Sequence, residues 1–306
     1  MPFKSVRLYC VALDDKLKSI FSNESELDKL IADEKFRPAG QMEISSCGFA
    51  PVFGRNTEAF SFSYDGNHYF RFVEENKLLP TSVVNQALLD EIDAKEEELG
   101  RPLKKAEKTT LKTALANKML AQAFSSRREM MVWVNSRYGF VGVSVTSAKR
   151  VENAITYLRK ALGGSFPAKA FSPRCVIEDR LTSFVSRNEL PEGFKLGYDC
   201  VLKSNDDTGA TVRASKEDLT CGEIQSHIKA GKQITDLQLN LNDSVSFVLN
   251  NELTIKRIAI DDTFLSQNLP QSVEDKTQDM QSYFIVEASV LTDMVDRVTK
   301  AFDCDR

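Results

Sequence analysis

Apolar residues along this chain change their period several times, and each change predicts a change of element. Val6 to Leu13 reads as a strand, a helix follows near Glu24 to Glu34, and Ala59 to Tyr64 and Tyr69 to Val73 read as further extended stretches. Val84, Leu88 and Ile92 then recur at i, i+4, i+8 behind Thr81, a residue suited to N-capping, so a helix is expected from about Ser82 to Leu99. Gly100 and Pro102 punctuate the chain, and a second helix from about Lys104 to Ala121 completes a helical hairpin. The next stretch, AFSSRREMMVWVNSRYGFVGVSV, reads as a turn carrying Phe124, Arg127 and Arg128, a buried strand from Met130 to Val134, and a second strand with Val141, Val143 and Val145 on one face.

Helical period returns with Val151, Ile155, Leu158 and Leu162, closed by Gly163 and Gly164. Thr220 with Glu223 has the spacing of a capping box, for a helix running to about Ala230 and stopped by Gly231. Ile234 to Leu241, Val245 to Leu249 and Leu253 to Ile260 read as strands joined by the polar turns NDS and NNE, an antiparallel meander. Ser282 to Glu287 reads as a last strand before a terminal helix striped by Leu291, Met294 and Val298. The mixture predicts an α+β fold of antiparallel sheets and helices, in regions 1–80, 81–165 and 166–306.

Composition narrows the function classes. The chain is 42% apolar and 27% charged, ordinary for a folded protein of 306 residues, and no run of roughly 18 apolar residues suggests a membrane span. Charges break the first apolar stretch, MPFKSVRLYCVALDDKLKS, so neither secretion nor membrane insertion is expected. Six scattered cysteines, with no C-x-x-C pair, read as free thiols in a reducing compartment, and no metal or cofactor is expected. Only His68 and His227 are present, and phosphate loops, dinucleotide turns and nucleophile elbows are absent from the sequence. The pairs Asp14–Asp15, Asp206–Asp207 and Asp261–Asp262 sit in turn-like contexts, where Asp serves backbone hydrogen bonding.

Charge supplies the most informative signal. The net charge of −4 argues against a polyanion ligand, yet Arg101 to Lys160 holds thirteen Lys and Arg against three acids, a net +10 that leaves −14 on the other 246 residues. Lys105, Lys108 and Lys112 share a sector of roughly 60° on the second helix of the hairpin. Aromatics are sparse in the basic segment, which favours contact with duplex phosphates over stacking on single strands.

The runs KLLPTSVVNQAL, LKKAEKTTLK, AFSSRREMMVW and SAKRVENAITYLRKALG between Lys77 and Pro167, with DLTCGEIQSHIKAGKQITDLQL from Asp218, resemble the recombination-associated RdgC family. That resemblance implies a non-enzymatic protein whose horseshoe-shaped subunits, each with a long helical arm, close into a ring-shaped homodimer. It further implies that the ring encircles double-stranded DNA with little regard to sequence, with single-stranded DNA a second ligand, and that the protein sits on the cytoplasmic nucleoid and restrains the RecA recombinase. Lys104, Lys105, Lys108 and Lys112 match basic positions of the family's arm, and Lys149, Arg150, Arg159 and Lys160 match a second basic set. Lys77, Arg127, Arg128, Arg213 and Lys216 complete the expected DNA-contacting set. Phe124 matches a phenylalanine that closes one side of the ring, against the plainer reading of a core side chain. Gln122 replaces a basic residue of that gate, and Lys216 with Glu217 stands for its polar pair, Glu217 bringing an added charge.

Two other classes are compatible with the same residues. One is a divalent-metal nuclease built on the acid pairs. The other is a protein-interaction scaffold docking through the acidic stretch Asp93 to Glu98, with the lysine cluster merely solvated.

Overall fold

A computed structural model describes residues 3–206, 209–270 and 275–305. The first part of the chain forms β1 (Ser5–Val11), α1 (Asp15–Ser22), α2 (Glu24–Asp33), β2 (Ser45–Ala50), β3 (Ser61–Tyr64) and β4 (Asn67–Lys77). The helical hairpin α3 (Thr81–Leu99) and α4 (Lys105–Gln122) follows, then β5 (Ser125–Asn135), β6 (Phe140–Val143) and α5 (Ala148–Ala161). Next come β7 (Ala168–Ala170), β8 (Ser172–Pro173), α6 (Ile177–Ser186), β9 (Phe194–Ser204), β10 (Thr211–Ala214) and α7 (Gly222–Lys229). The chain ends with β11 (Lys232–Leu241), β12 (Val245–Asn250), β13 (Ile255–Ile260), α8 (Asp262–Asn268), α9 (Lys276–Ala301) and β14 (Cys304–Asp305). The fold is α+β with a large antiparallel sheet, as its alternating periods imply.

Two compact units emerge. The larger comprises Met1–Asp33, Pro51–Arg71 and Met130–Arg306; the smaller comprises Glu34–Ala50 and Phe72–Glu129, so β4 and β5 contribute residues to both. In the larger unit the strand order runs β10-β9-β11-β12-β13-β1-β6-β5, and the expected meander is its β11-β12-β13 segment. Asn242 and Asp243, both at positive φ, make the first turn of that meander, a conformation that short polar side chains tolerate. The core of this unit joins Trp133, Phe247, Leu237 and Leu291, each fully buried, with Tyr69 stacked on Phe284 at 4.7 Å.

Several expectations are corrected. Ser282 to Glu287 is helical, within α9. Its aromatic and β-branched residues favour extended structure locally, but Phe284, Ala288, Leu291, Val295 and Val298 repeat at helical spacing and all bury, so tertiary burial overrides propensity. Arg127 and Arg128 lie inside β5 rather than in a turn, and Val145 falls beyond β6. The first strand ends at Val11. Thr81 is already helical, with Pro80 at the cap position and no side-chain cap bond. Thr220 is no N-cap either: Cys221 holds that position, and the Thr220 hydroxyl and N–H both donate to Asp218. Asp14 and Asp261 do cap helices, accepting from Leu17 and from Thr263 and Phe264. Asp207 lies outside the described residues.

The smaller unit is built around the α3/α4 hairpin. Gly100, at φ +61°, ends α3 in a left-handed conformation that costs glycine little. Its apolar core is short: Phe49 packs edge-on against Phe72 at 5.3 Å, and Val84, Ile92, Leu103, Leu115 and Leu120 bury along the hairpin.

Candidate nucleic-acid interface

The basic residues of the smaller unit separate by what their charged ends touch. Lys104, Lys105 and Lys112 are exposed and carry no ion pair among the described residues. Lys108, on the same face, bonds Glu96 of α3 at 3.0 Å across the hairpin. The first turn of α4 is tied by Glu107, which accepts from the Lys104 N–H at 2.7 Å and pairs with Arg101 at 2.8 Å. The Arg101 guanidinium, helped by that N–H, holds the Glu107 carboxyl down to about 2, and a negative charge at a helix N-terminus also suits the macrodipole.

On β5, Arg127 donates to Glu75 at 2.5 Å and lies 5.2 Å over the Phe36 ring. Burial opposes the charge of Glu75, but the Arg127 bond and the Ala39 N–H outweigh it and keep the carboxyl below its ordinary range. Arg128 points to the opposite face, exposed, as strand alternation requires. The Lys77 ammonium is engaged by three carbonyls, of Gly40 at 2.7 Å, Gln41 at 2.9 Å and Leu120 at 3.0 Å. Gln122 closes α4, exposed, and Phe124 beyond it is 84% exposed, which excludes a core role within this chain.

In the larger unit, α5 buries Val151, Ile155 and Leu158 and leaves Lys149 and Lys160 in solvent, the latter 6.0 Å over the Tyr157 ring. Arg150 is half-buried, as is Arg159, whose Nε donates to the Phe166 carbonyl at 3.3 Å. Arg213 sits exposed on the edge strand β10, and Lys216 follows at φ +58°, its N–H donating to Asp199. Glu217 donates its N–H to the Tyr198 carbonyl.

Asp199 also takes Arg257 at 2.7 Å, and Arg257, Lys256 and Arg213 line one cleft with Asp199 and Asp236. Lys256 and Arg257 were missing from the sequence-derived set. Their signal was a basic dipeptide inside the otherwise apolar strand IKRIAI. Among the described residues, Glu217, Cys221 and Glu223 bring potential ligand atoms within 4.8 Å of one another, an exposed cluster that by itself defines no metal site. The described cysteines are all free. No helix among the described residues is long and apolar enough to cross a membrane.

A family model described as "Putative exonuclease, RdgC" matches residues 1–304. The chain belongs to the RdgC family. Proteins named "Recombination-associated protein RdgC" from Salmonella typhimurium (strain LT2), Salmonella typhi and Salmonella newport (strain SL254) are each 32% identical to it over 298 residues, covering 97% of this chain and 96% of the relative. The two descriptions point in different directions, one to recombination and one to nuclease activity. Of the acid pairs, Asp14 and Asp261 each accept helix-capping bonds.

Within the family frame, the arm set lies at the start of α4 in the smaller unit and the second set on α5 in the larger, where Arg213 stands apart on β10. It distinguishes exposed cations from those already neutralised at Glu96, at Glu75 and by carbonyls.

Proposed function

We propose that this protein is a non-enzymatic, sequence-indifferent binder of double-stranded DNA, acting as a ring-shaped homodimer that restrains RecA-type recombination on the cytoplasmic nucleoid. The observation that carries the reading is the row of exposed ammonium groups at the start of α4 and along it, Lys104, Lys105 and Lys112, which carry no ion pair among the described residues, in a chain of net negative charge. Exposed cations without acid partners release counterions from phosphates at little cost, whereas paired ones must first break an ion pair. Arg128, Lys149, Arg213 and Lys216 extend the set, while Lys108 and Arg127 contribute less because Glu96 and Glu75 already hold them. Membership of a family named for recombination supports the biological setting.

Titration against a linear duplex and a nicked circle of equal length, at several salt concentrations and with a high-salt challenge, tests the reading. Affinity should fall by about 0.9 log units per log unit of salt for each phosphate neutralised. Retention of the circle with release of the linear duplex is expected of a ring; equal release would mean binding from one face. Magnesium-dependent cleavage of labelled duplex would favour the nuclease reading that the family description suggests.

A further inference from the structure

We propose that the cleft between β10 and β13 in the larger unit binds a phosphate group, with Arg257 as its main receptor, and that Asp199 couples this binding to the backbone of Lys216. This deepens the DNA reading and rests on it where the phosphate belongs to a duplex.

The cleft has a volume of about 420 Å³, and every strand from β9 to β13 contributes to its lining. Three cations reach it, Arg213 from the edge strand β10 and Lys256 and Arg257 from β13. Two acids face them. Asp236 takes Lys256 at 3.3 Å and Asp199 takes Arg257 at 2.7 Å, while Arg213 stands exposed with no ion pair among the described residues. The lining therefore carries one positive charge in excess.

An irregular backbone places Arg257 there. A regular strand alternates its side chains between two faces, so Lys256 and Arg257 would point apart. Ser246 pairs with Ala259 and Val248 with Lys256, so two steps of β12 face three of β13, and the additional residue forms a bulge. Arg257 sits in that bulge at φ +50°, a left-handed conformation that a long side chain adopts only at a cost. Ile255 and Ile258 both stay buried. The bulge thus turns two neighbouring cations into the cleft and leaves the core intact.

Lys216 is left-handed as well, at φ +58°, and the carboxylate that holds it is the one that holds Arg257. One Asp199 oxygen accepts from the Ser215 hydroxyl at 2.9 Å and from the Lys216 N–H at 3.1 Å; the other accepts from Arg257. The Lys216 N–H, above all, holds the Asp199 carboxyl below its ordinary range and so keeps it ionised. Two strained residues from separate elements share one anchor.

Chemistry selects the ligand. The oxygens of a phosphate are arranged tetrahedrally, so guanidinium forks converging from β10 and β13 can both engage it, whereas a carboxylate presents its oxygens in one plane. The Arg257 side chain is 73% exposed, so its pair with Asp199 is weak and yields to a better acceptor. Once Arg257 turns to the phosphate, Asp199 loses the partner that orients it, and the Lys216 N–H loses a fixed acceptor.

Phosphate affinity and amide exchange of the full chain test this, with inorganic phosphate replacing chloride at constant ionic strength and, separately, with a short duplex. In the wild type, phosphate should bind and speed exchange at the Lys216 amide. Arg257→Asn tolerates positive φ but lacks the guanidinium; it should weaken phosphate binding about tenfold or more and abolish the change at Lys216. Asp199→Asn keeps an oxygen for Ser215 and Lys216 but loses the charge that competes for Arg257, so it should tighten phosphate binding about threefold. Arg257→Lys should restore part of the affinity, since the charge returns without the fork. An effect of inorganic phosphate shows that a free phosphate suffices; an effect of the duplex alone assigns the group to the DNA backbone. Arg257-dependent binding with no change at Lys216 would end the coupling role of Asp199. If neither ligand changes exchange at Lys216 and Arg257→Asn binds both as the wild type does, the cleft is no phosphate site, and the DNA reading stands so long as Lys105→Gln still weakens duplex binding. A wild type that takes inorganic phosphate but no duplex overturns the DNA reading and leaves the cleft in place.

Discussion

The two units of this molecule are held together by different forces. The larger has a continuous apolar core running from Phe3 and Trp133 through the β11-β12-β13 meander to the buried stripe of α9. The smaller has few buried side chains, and its elements are joined by charged groups: Glu75 with Arg127, Glu96 with Lys108, Arg101 with Glu107, and Lys77 with three carbonyls. Burial is insensitive to salt, whereas half-exposed ion pairs are screened by it. The larger unit therefore sets stability, and the smaller one holds its geometry through bonds that ionic conditions can loosen.

The contrast can be broken most severely at Trp133, which is fully buried and donates its indole N–H to Asn67 at 2.9 Å. Trp133→Ala should cost about 4 kcal/mol by emptying a large volume and removing one of the two donors to the Asn67 oxygen, the other being Asn135, measurable by denaturant unfolding of the whole chain. A loss below about 1 kcal/mol would mean that this core is not the main source of stability.

Next in size is Glu287 on α9, fully buried, with one carboxyl oxygen accepting from the Phe3 N–H and the other unpartnered. Burial pushes its carboxyl up to about 8 from the ordinary 4.5. The folded state then keeps a proton that the unfolded chain has released, so stability is full below about pH 4.5 and falls as pH rises through about 8. Glu287→Gln should flatten that decline, by on the order of 3 kcal/mol between pH 5 and 9. An unchanged pH profile in the variant would show that another group is responsible.

In the smaller unit, Glu75→Gln removes the negative charge that pairs with Arg127 and should cost about 2 kcal/mol. Hydrogen exchange should accelerate over residues 34–50 and 72–77, while β11 to β13 stay protected. Uniform acceleration throughout the chain would contradict the division of forces. The smallest effect is expected for Lys105→Gln and Lys112→Gln, which should leave stability within about 0.5 kcal/mol. Each should reduce the salt slope of DNA binding by about one. A larger loss on replacing Lys108, already paired with Glu96, would invert the ranking of free over paired cations.

How legible each feature was followed from how local its cause is. The α3/α4 hairpin, α5 and the meander were readable because periodic burial, Gly100 and short polar turns act within a few residues. The start of α9 was misread because Tyr283 to Val286 favour a strand until distant residues supply the core that they bury against. At the candidate interface the lysines of α4 were visible as a basic row, but their individual roles were not, since Glu96 and the partners of Lys77 come from other elements. Arg257 escaped notice because Asp199, which orients it, lies 58 residues away.

By itself, then, the chain's sequence determined the element types wherever side-chain period and turn chemistry agree, the concentration of positive charge between Arg101 and Lys160, and, through shared motifs, its family. Only the tertiary structure decided which cations stand exposed without an ion pair among the described residues, that Phe124 projects into solvent, and that the Leu78 N–H donates to the Phe124 carbonyl. The reason is physical. Charge and hydrophobicity are properties of single residues, but neutralisation and exposure depend on partners that strand pairing and helix packing bring from tens of residues away.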